Sequence, residues 1–227
     1  MSVIAIRNKE KSLMCGRVNV TDYPSIEMLM NSIDMPVRME SDMELSDKLF
    51  PYFKPLLAGF INQDGQGDSA LMNWGWQRDW DTGRRLFNSR RVSKKGQGIW
   101  QSRVWGDAIR KRRCLIPINA FYEWNENQAK GKRDRYRIET HEAAFTLGGI
   151  YEINDDGELF LSICTTEPNK VMADIHHRMP VIIDKSDSEQ WLRSQSVEDV
   201  GVLMDMKPDD YIVMNKETDI GSTQSLF

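Results

Sequence analysis

Hydrophobic and polar positions alternate in short runs along most of this chain, and only a few stretches carry the spacing of a helix. Arg17 to Thr21 alternates as a strand does. Pro24 opens a helix whose apolar residues Ile26, Leu29, Met30 and Ile33 fall at i, i+3, i+4 and i+7, one buried face. Residues 35–48 are polar and irregular. Leu49 to Ile61 is apolar but interrupted by Pro51 and Pro55, so it reads as an edge or bent strand. The polar turn Asn62 to Asp68 leads back into a strand from Ala70 to Trp76, which makes a hairpin. Ile99 to Lys111 is expected to be helical, Cys114 to Ile118 a short buried strand, and Lys130 to Arg137 a basic turn entering another strand. Ala144 to Ile153 and Glu158 to Thr165 are strands joined by the turn Asn154-Asp155-Asp156-Gly157. Pro168 starts a short helix toward Asp174, Val181 to Ile183 is a strand, and helices follow from Ser186 through Leu192 and from Val197 to Met206. The polar tail after Ile220 is expected to be disordered. Many short strands with a few helices predict an α+β fold.

Composition narrows this picture. A chain of 227 residues with 40% hydrophobic and 28% charged residues suits a soluble protein of one large domain or two small ones. No apolar run reaches the length of a membrane span, and the leader before Met14 has only Val3 to Ile6 apolar, so it is no signal peptide. Cys15, Cys114 and Cys164 are far apart with no CxxC spacing, which predicts a reduced cytoplasmic protein without a structural zinc.

Charge changes the picture more. The net charge is -4, yet residues 76–140 hold 17 Lys or Arg against 7 Asp or Glu. That asymmetry fits a nucleic-acid surface on an otherwise acidic protein, or a solvated exterior whose cations do not share a face. In the same region Trp74, Trp76, Trp80, Trp100, Trp105 and Trp124 interleave with Arg84, Arg85, Arg90, Arg91, Lys94 and Lys95. Rings among cations can stack bases while phosphates pair with Arg and Lys; equally, tryptophans form cores.

Three further places could carry chemistry. Cys15 follows Met14, itself a conceivable start; with Met14 gone it would carry a thiol and an α-amine on adjacent carbons, able to close a thiazolidine ring on one aldehyde. As an internal residue it would be a small buried hydrophobe. Glu123 lies inside Phe121-Tyr122-Glu123-Trp124, either exposed or buried with a raised pKa suited to proton transfer. Two of three histidines stand in Asp174-Ile175-His176-His177-Arg178-Met179-Pro180.

Taken in series, Met14-Cys15-Gly16-Arg17, Asn88-Ser89-Arg90, Phe121 to Trp124 and Asp174 to Pro180 strongly resemble the SOS response-associated peptidase (SRAP) family, the abasic-site-processing proteins. The resemblance runs from Met14 to about residue 215. It implies a single compact β-rich domain over 15–215, with a curved barrel-like sheet, peripheral helices and a positively charged groove, between a leader at 1–14 absent from the active form and a polar tail at 216–227. It also implies a damage sensor in the SOS response that links covalently to abasic sites in single-stranded DNA. Cys15 would be the nucleophile, freed by self-cleavage or by a start at Met14. Asn88 would hold the reacting amine and sugar, Glu123 would move protons during ring opening, and His176 would act as acid or base, with AP-lyase-like cleavage as a further outcome. Arg17, Arg90 and Arg91 would bind phosphates, and Trp74 and Trp76 would shape the strand channel. His177 is left as a structural or solvent-facing residue. A monomer without metal or cofactor, cytoplasmic and nucleoid-associated on DNA, is expected. A segment usual in the family is replaced here by Lys48-Leu49-Phe50-Pro51, and Arg78 stands where a proline is usual. The other readings are a thiol peptidase acting on its own leader or other peptides, and a non-catalytic single-strand-binding module.

Overall fold

The computed structural model describes residues 16–37, 45–76 and 86–217. The period-two pattern prevails, and strands outnumber helices. In chain order the strands are β1 (Val18–Val20), β2 (Ser46–Leu49), β3 (Leu56–Ile61), β4 (Gly67–Trp74), β5 (Asn88–Arg90), β6 (Arg113–Ile118), β7 (Ala120–Trp124), β8 (Arg135–Thr140), β9 (Phe145–Ile153), β10 (Leu159–Thr166), β11 (Met179–Pro180), β12 (Ile182–Ile183) and β13 (Ile212–Glu217). The helices are α1 (Tyr23–Asn31), α2 (Ala108–Lys111), α3 (Lys170–Ala173), α4 (Ser188–Arg193) and α5 (Val197–Leu203). The α+β, β-rich expectation holds.

One sheet runs β13–β8–β7–β1–β2. In the larger sheet the pairings pass from β3 to β4, β10, β9, β6 and back to β3, which curves it around the core, while β5, β11 and β12 extend it. Inside lie Leu56, Met72, Trp74, Leu115, Ile116, Leu147, Ile150, Leu161 and Ile163, all at most 2% exposed. Both faces of β6 and most of β9 are buried, so those strands read as continuous apolar runs.

Buried polar side chains stitch the elements together. Asn119, between β6 and β7, accepts the backbone N–H groups of Thr21 and Asp22 at 2.9 and 3.0 Å and donates to Ser25 Oγ and the Ala143 carbonyl. It thereby fixes the start of α1, where Asp22 also accepts the Ser25 N–H as cap. Arg113 is 5% exposed and, among the described residues, pairs with no carboxylate; its guanidinium donates to the carbonyls of Ile109, Arg110, Trp191, Leu192 and Ser194, closing the ends of α2 and α4.

Three expectations are corrected. Leu49 to Ile61 is not one edge strand: Pro51 and Pro55 fall in a turn, where Tyr52 takes a φ of 63°, and β3 beyond them is central, paired with both β4 and β6. Ile99 to Lys111 is not a continuous helix. Ser102 Oγ accepts the N–H groups of Val104 and Trp105, offering the backbone a turn instead, so that only a short 3₁₀ turn and α2 remain. Residues 46–49, within the stretch taken as irregular, form β2, which pairs with β1. The strand β13 carried no alternation strong enough to be expected; pairing with β8 makes it.

Candidate functional site

The site grows from three segments, two of them strands and one a loop after α3. The first is β5, which lies parallel to β10 with Asn88 opposite Ile163 and Arg90 opposite Thr165. Side chains alternate along a strand, and Ser89 points inward, its hydroxyl donating weakly to the Ile163 carbonyl, so Asn88 and Arg90 share the other, half-buried face. The second is the segment after α3. Asn169 caps that helix by accepting the Met172 N–H at 3.0 Å and is anchored through its amide to the Lys207 and Pro208 carbonyls. The His176 N–H closes onto the Met172 carbonyl at 2.8 Å, which turns the imidazole inward. Two residues on, Arg178 reaches back to donate to the carbonyl and hydroxyl of Thr165, the residue paired with Arg90.

The third segment is β7. Its antiparallel register with β1 sets Val18 against Phe121 and Asn19 against Ala120. The Tyr122 N–H donates to the Arg17 carbonyl at 3.0 Å, and the same register carried outward brings Gly16 opposite Glu123. Glu123 is 1% exposed. Immediately after β7 the Glu126 N–H donates to the Ile175 carbonyl at 2.9 Å, tying the end of this strand to the histidine segment. Asn88 on β5 and Glu123 on β7, far apart in sequence, thus lie on strands that are each tied to the segment carrying His176, the first through Thr165 and Arg178, the second through Glu126 and Ile175. Cys15 lies outside the described residues, as do the leader, Trp80, Arg84 and Arg85.

Electrostatics distinguish the groups. His176 is buried; desolvation pushes its pKa down to about 4 against the opposing pull of Glu126, so the ring is neutral near pH 7. Its Nδ1 lies 3.3 Å from both the N–H and the carbonyl of Arg178, and its Nε2 faces Glu126 Oε2 at 3.6 Å. Glu126 in turn meets His177 Nδ1 through both oxygens, at 2.7 and 2.9 Å, and accepts the His177 N–H. His176 and His177, although burial raises the cost of charging Glu126, hold its carboxyl below the usual range. Burial and the nearby Arg90 lower Arg178 to about 10. Among the described residues Glu126, His176 and His177 are also the group whose ligand atoms could meet one metal ion, all within 4.8 Å of one another. Glu126 was missed by sequence reasoning. The signal lay in its place three residues beyond Glu123, but only the fold brings it to His176.

The other predicted residues fall in plainly different surroundings. Arg17 is 4% exposed, with its guanidinium on Asp47 at 2.8 Å and over the Tyr122 ring at 4.5 Å. Trp74 and Trp76 are buried; the first donates its indole N–H to the Phe87 carbonyl, and the second packs edge-on against Trp105, so both belong to the core. Arg91 pairs with Asp205. Much of the basic excess is engaged likewise: Arg112 with Asp107 and Glu152, Arg135 with Glu217, Arg137 with Glu139. Cys114 and Cys164 are buried, and burial raises both thiols, Cys164 to about 12. A cavity of about 850 Å³ opens elsewhere, between α1, the turn at 140–146 and Asp184 to Ser186; it contains none of these residues. No described helix is long and apolar enough to cross a membrane.

Comparison with known proteins gives this geometry a context. The chain is 27% identical over 202 residues to the abasic site processing protein YoaM of Bacillus subtilis, spanning 81% of each chain. It is 27% identical over 159 residues to the abasic site processing protein HMCES of Pongo abelii, spanning 54% of this chain and 44% of that one. Its fold matches a crystal structure of a Bacteroides thetaiotaomicron protein with a TM-score of 0.72 at 20% identity, over 90% of this chain and 93% of the other. A Bordetella bronchiseptica protein matches with a TM-score of 0.69 at 18% identity, over 90% and 100%. The family model for SOS response associated peptidase (SRAP) covers residues 14–222, from the methionine before Cys15 through the last described strand, and to this family the chain belongs.

Proposed function

We propose that this protein processes abasic sites in single-stranded DNA by covalent capture on Cys15. Ring opening of the baseless sugar exposes an aldehyde. The Cys15 α-amine adds to its carbon, the carbinolamine loses water to give an imine, and the thiolate then adds to the imine carbon while the nitrogen regains a proton, closing a thiazolidine. Opening the ring needs a proton at the ring oxygen, which a desolvated carboxyl such as Glu123 can supply. Dehydration needs a second transfer, for which the neutral imidazole of His176 is suited. Asn88 orients the amine and sugar, and Arg90 pairs with a flanking phosphate. The α-amine requires that residues 1–14 be absent, by initiation at Met14 and removal of that methionine, or by attack of the Cys15 thiol on the Met14 carbonyl, which frees the amine and leaves a thioester that water hydrolyses. The imine also activates the sugar for strand cleavage, the lyase outcome.

The observation that carries this reading is the pairing of β1 with β7, which brings the residue after Cys15 opposite Glu123 in a chain of this family. The test is a denaturing gel of the protein mixed with a single-stranded oligonucleotide containing one abasic site. A shifted band that survives boiling in detergent, and is lost in Cys15→Ser, is expected. Salt-sensitive binding with no surviving band would instead mark a non-covalent binding module, and peptide cleavage without an adduct would mark a thiol peptidase. N-terminal sequencing of the adduct should begin at Cys15; an adduct formed by a chain that keeps its leader would overturn the amine requirement.

A further inference from the structure

His176 is 1% exposed, and neither ring nitrogen faces bulk water. Its Nδ1 is occupied by its own segment, at 3.3 Å from the Arg178 backbone. Its Nε2 is buried and, among the described residues, has no hydrogen-bond partner. With Nδ1 taken up by its own segment, Nε2 is the nitrogen left for proton exchange, and among the described residues it has a carboxylate in line: Glu126 Oε2 at 3.6 Å. Glu126 is bonded through both oxygens to Nδ1 of His177, whose side chain is 51% exposed. Burial therefore falls in steps along His176, Glu126 and His177, from the core to solvent.

We infer that Glu126 and His177 form a proton relay that connects the buried His176 to solvent during the processing reaction. They act through His176 and are positioning residues. In the acid direction His177 Nε2 takes a proton from water or buffer, His177 Nδ1–H passes its proton to Glu126, and Glu126 passes one to His176 Nε2. The net change is one proton moved from solvent to His176, with His177 left protonated on Nε2 instead of Nδ1; rotation of its exposed ring or exchange with solvent restores the starting tautomer. The receiving tautomer has its proton on Nδ1, directed at the Arg178 carbonyl. The 3.6 Å gap closes by rotation of the Glu126 carboxylate, since catalytic hydrogen bonds commonly tighten only when substrate is bound. Among the described residues the charged and titratable groups acting on His176 are Glu126, His177 and Arg178, with Arg90 and Glu167 acting in turn on Arg178. The two imidazoles stack with centroids 4.6 Å apart and planes 25° apart.

The relay rests on the proposed function for its kinetic test and has a second readout that does not. In the kinetic test the full chain reacts with the abasic oligonucleotide across pH 5–8.5 in a weak, bulky buffer. Glu126→Gln and His177→Gln should each slow adduct formation about tenfold and flatten its pH profile, and imidazole added to the buffer should restore His177→Gln by carrying protons in its place. Variants with the unaltered rate and profile, or a slowed His177→Gln that imidazole does not restore, would overturn the relay. The second readout is the exchange rate of the His176 ring proton with water, measured by NMR on ¹⁵N-histidine protein without DNA. Glu126→Gln should slow it about tenfold, and an unchanged rate overturns the relay even where no adduct forms. If the parent protein forms no adduct while this exchange behaves as expected, the covalent function fails and the relay survives as a property of His176.

Discussion

His176 shows how a single residue ties stability to pH. Unfolded, an imidazole binds its proton near 6.5; folded, burial holds this one down to about 4. Between those values the unfolded chain binds more protons, so this contribution is present above pH 6.5 and is lost as the pH falls toward 4. The lowered Glu126 carboxyl acts in the same direction at the acid end. We expect urea midpoints of the parent protein to fall between pH 7 and pH 4.5 more steeply than those of His176→Gln, a difference on the order of 3 kcal/mol. Parallel pH curves for the two proteins would refute that burial. His176, Glu123 and Asn88 could be singled out in the sequence because each stands in a distinctive island. His177 stands in the same island as His176 and was read there as structural or solvent-facing, while Glu126 carried no such mark; the relation of Glu126 to both histidines is created by the bond between the Glu126 N–H and the Ile175 carbonyl.

At the level of elements, the core strands were legible where apolar residues run continuously and a turn signal bounds them, as for β9 and β10 around Asn154 to Gly157. They were obscure where identity depends on a neighbour. β13 exists because β8 offers it an edge, and β5 because Thr165 Oγ1 and the Arg91 N–H close it onto β10. Close packing between strands makes its own prediction at Gly149 on β9, which pairs with Cys114 on β6 and Ile163 on β10. A Cβ there would lie 2.5 Å from Ile116 Cδ1 and 2.9 Å from Cys114 Sγ. Gly149→Ala should therefore destabilise the protein by roughly 1–3 kcal/mol, read as a lowered urea midpoint. An unchanged midpoint would show that β6 and β9 can separate without cost.

Across the whole molecule the question is what the uneven charge does. The excess of cations at 76–140 was visible in the sequence, but a count cannot say which of them face a ligand. In the fold Arg113 is buried on carbonyls and Arg112 is held by Asp107 and Glu152, whereas Arg90 shares a half-buried strand face with Asn88. Salt dependence of binding to an unmodified single strand separates these roles. Arg90→Ala should reduce the slope of log affinity against log salt by about 0.7, one phosphate contact, while Arg112→Ala should leave it unchanged. Equal effects from both would mean a diffuse field with no defined contact.

By itself the sequence determined the β-rich class, the turn-bounded core strands, the one-sided helix α1 and the islands that mark the family, because each rests on residues close together in the chain. Tertiary structure decided that β3 is central, that Trp74 and Trp76 are core, that Arg17 lies on Asp47, and that Glu126 joins His176 to His177. Those facts depend on which distant strands pair and which side chains lose their water, and no local pattern of residues encodes either.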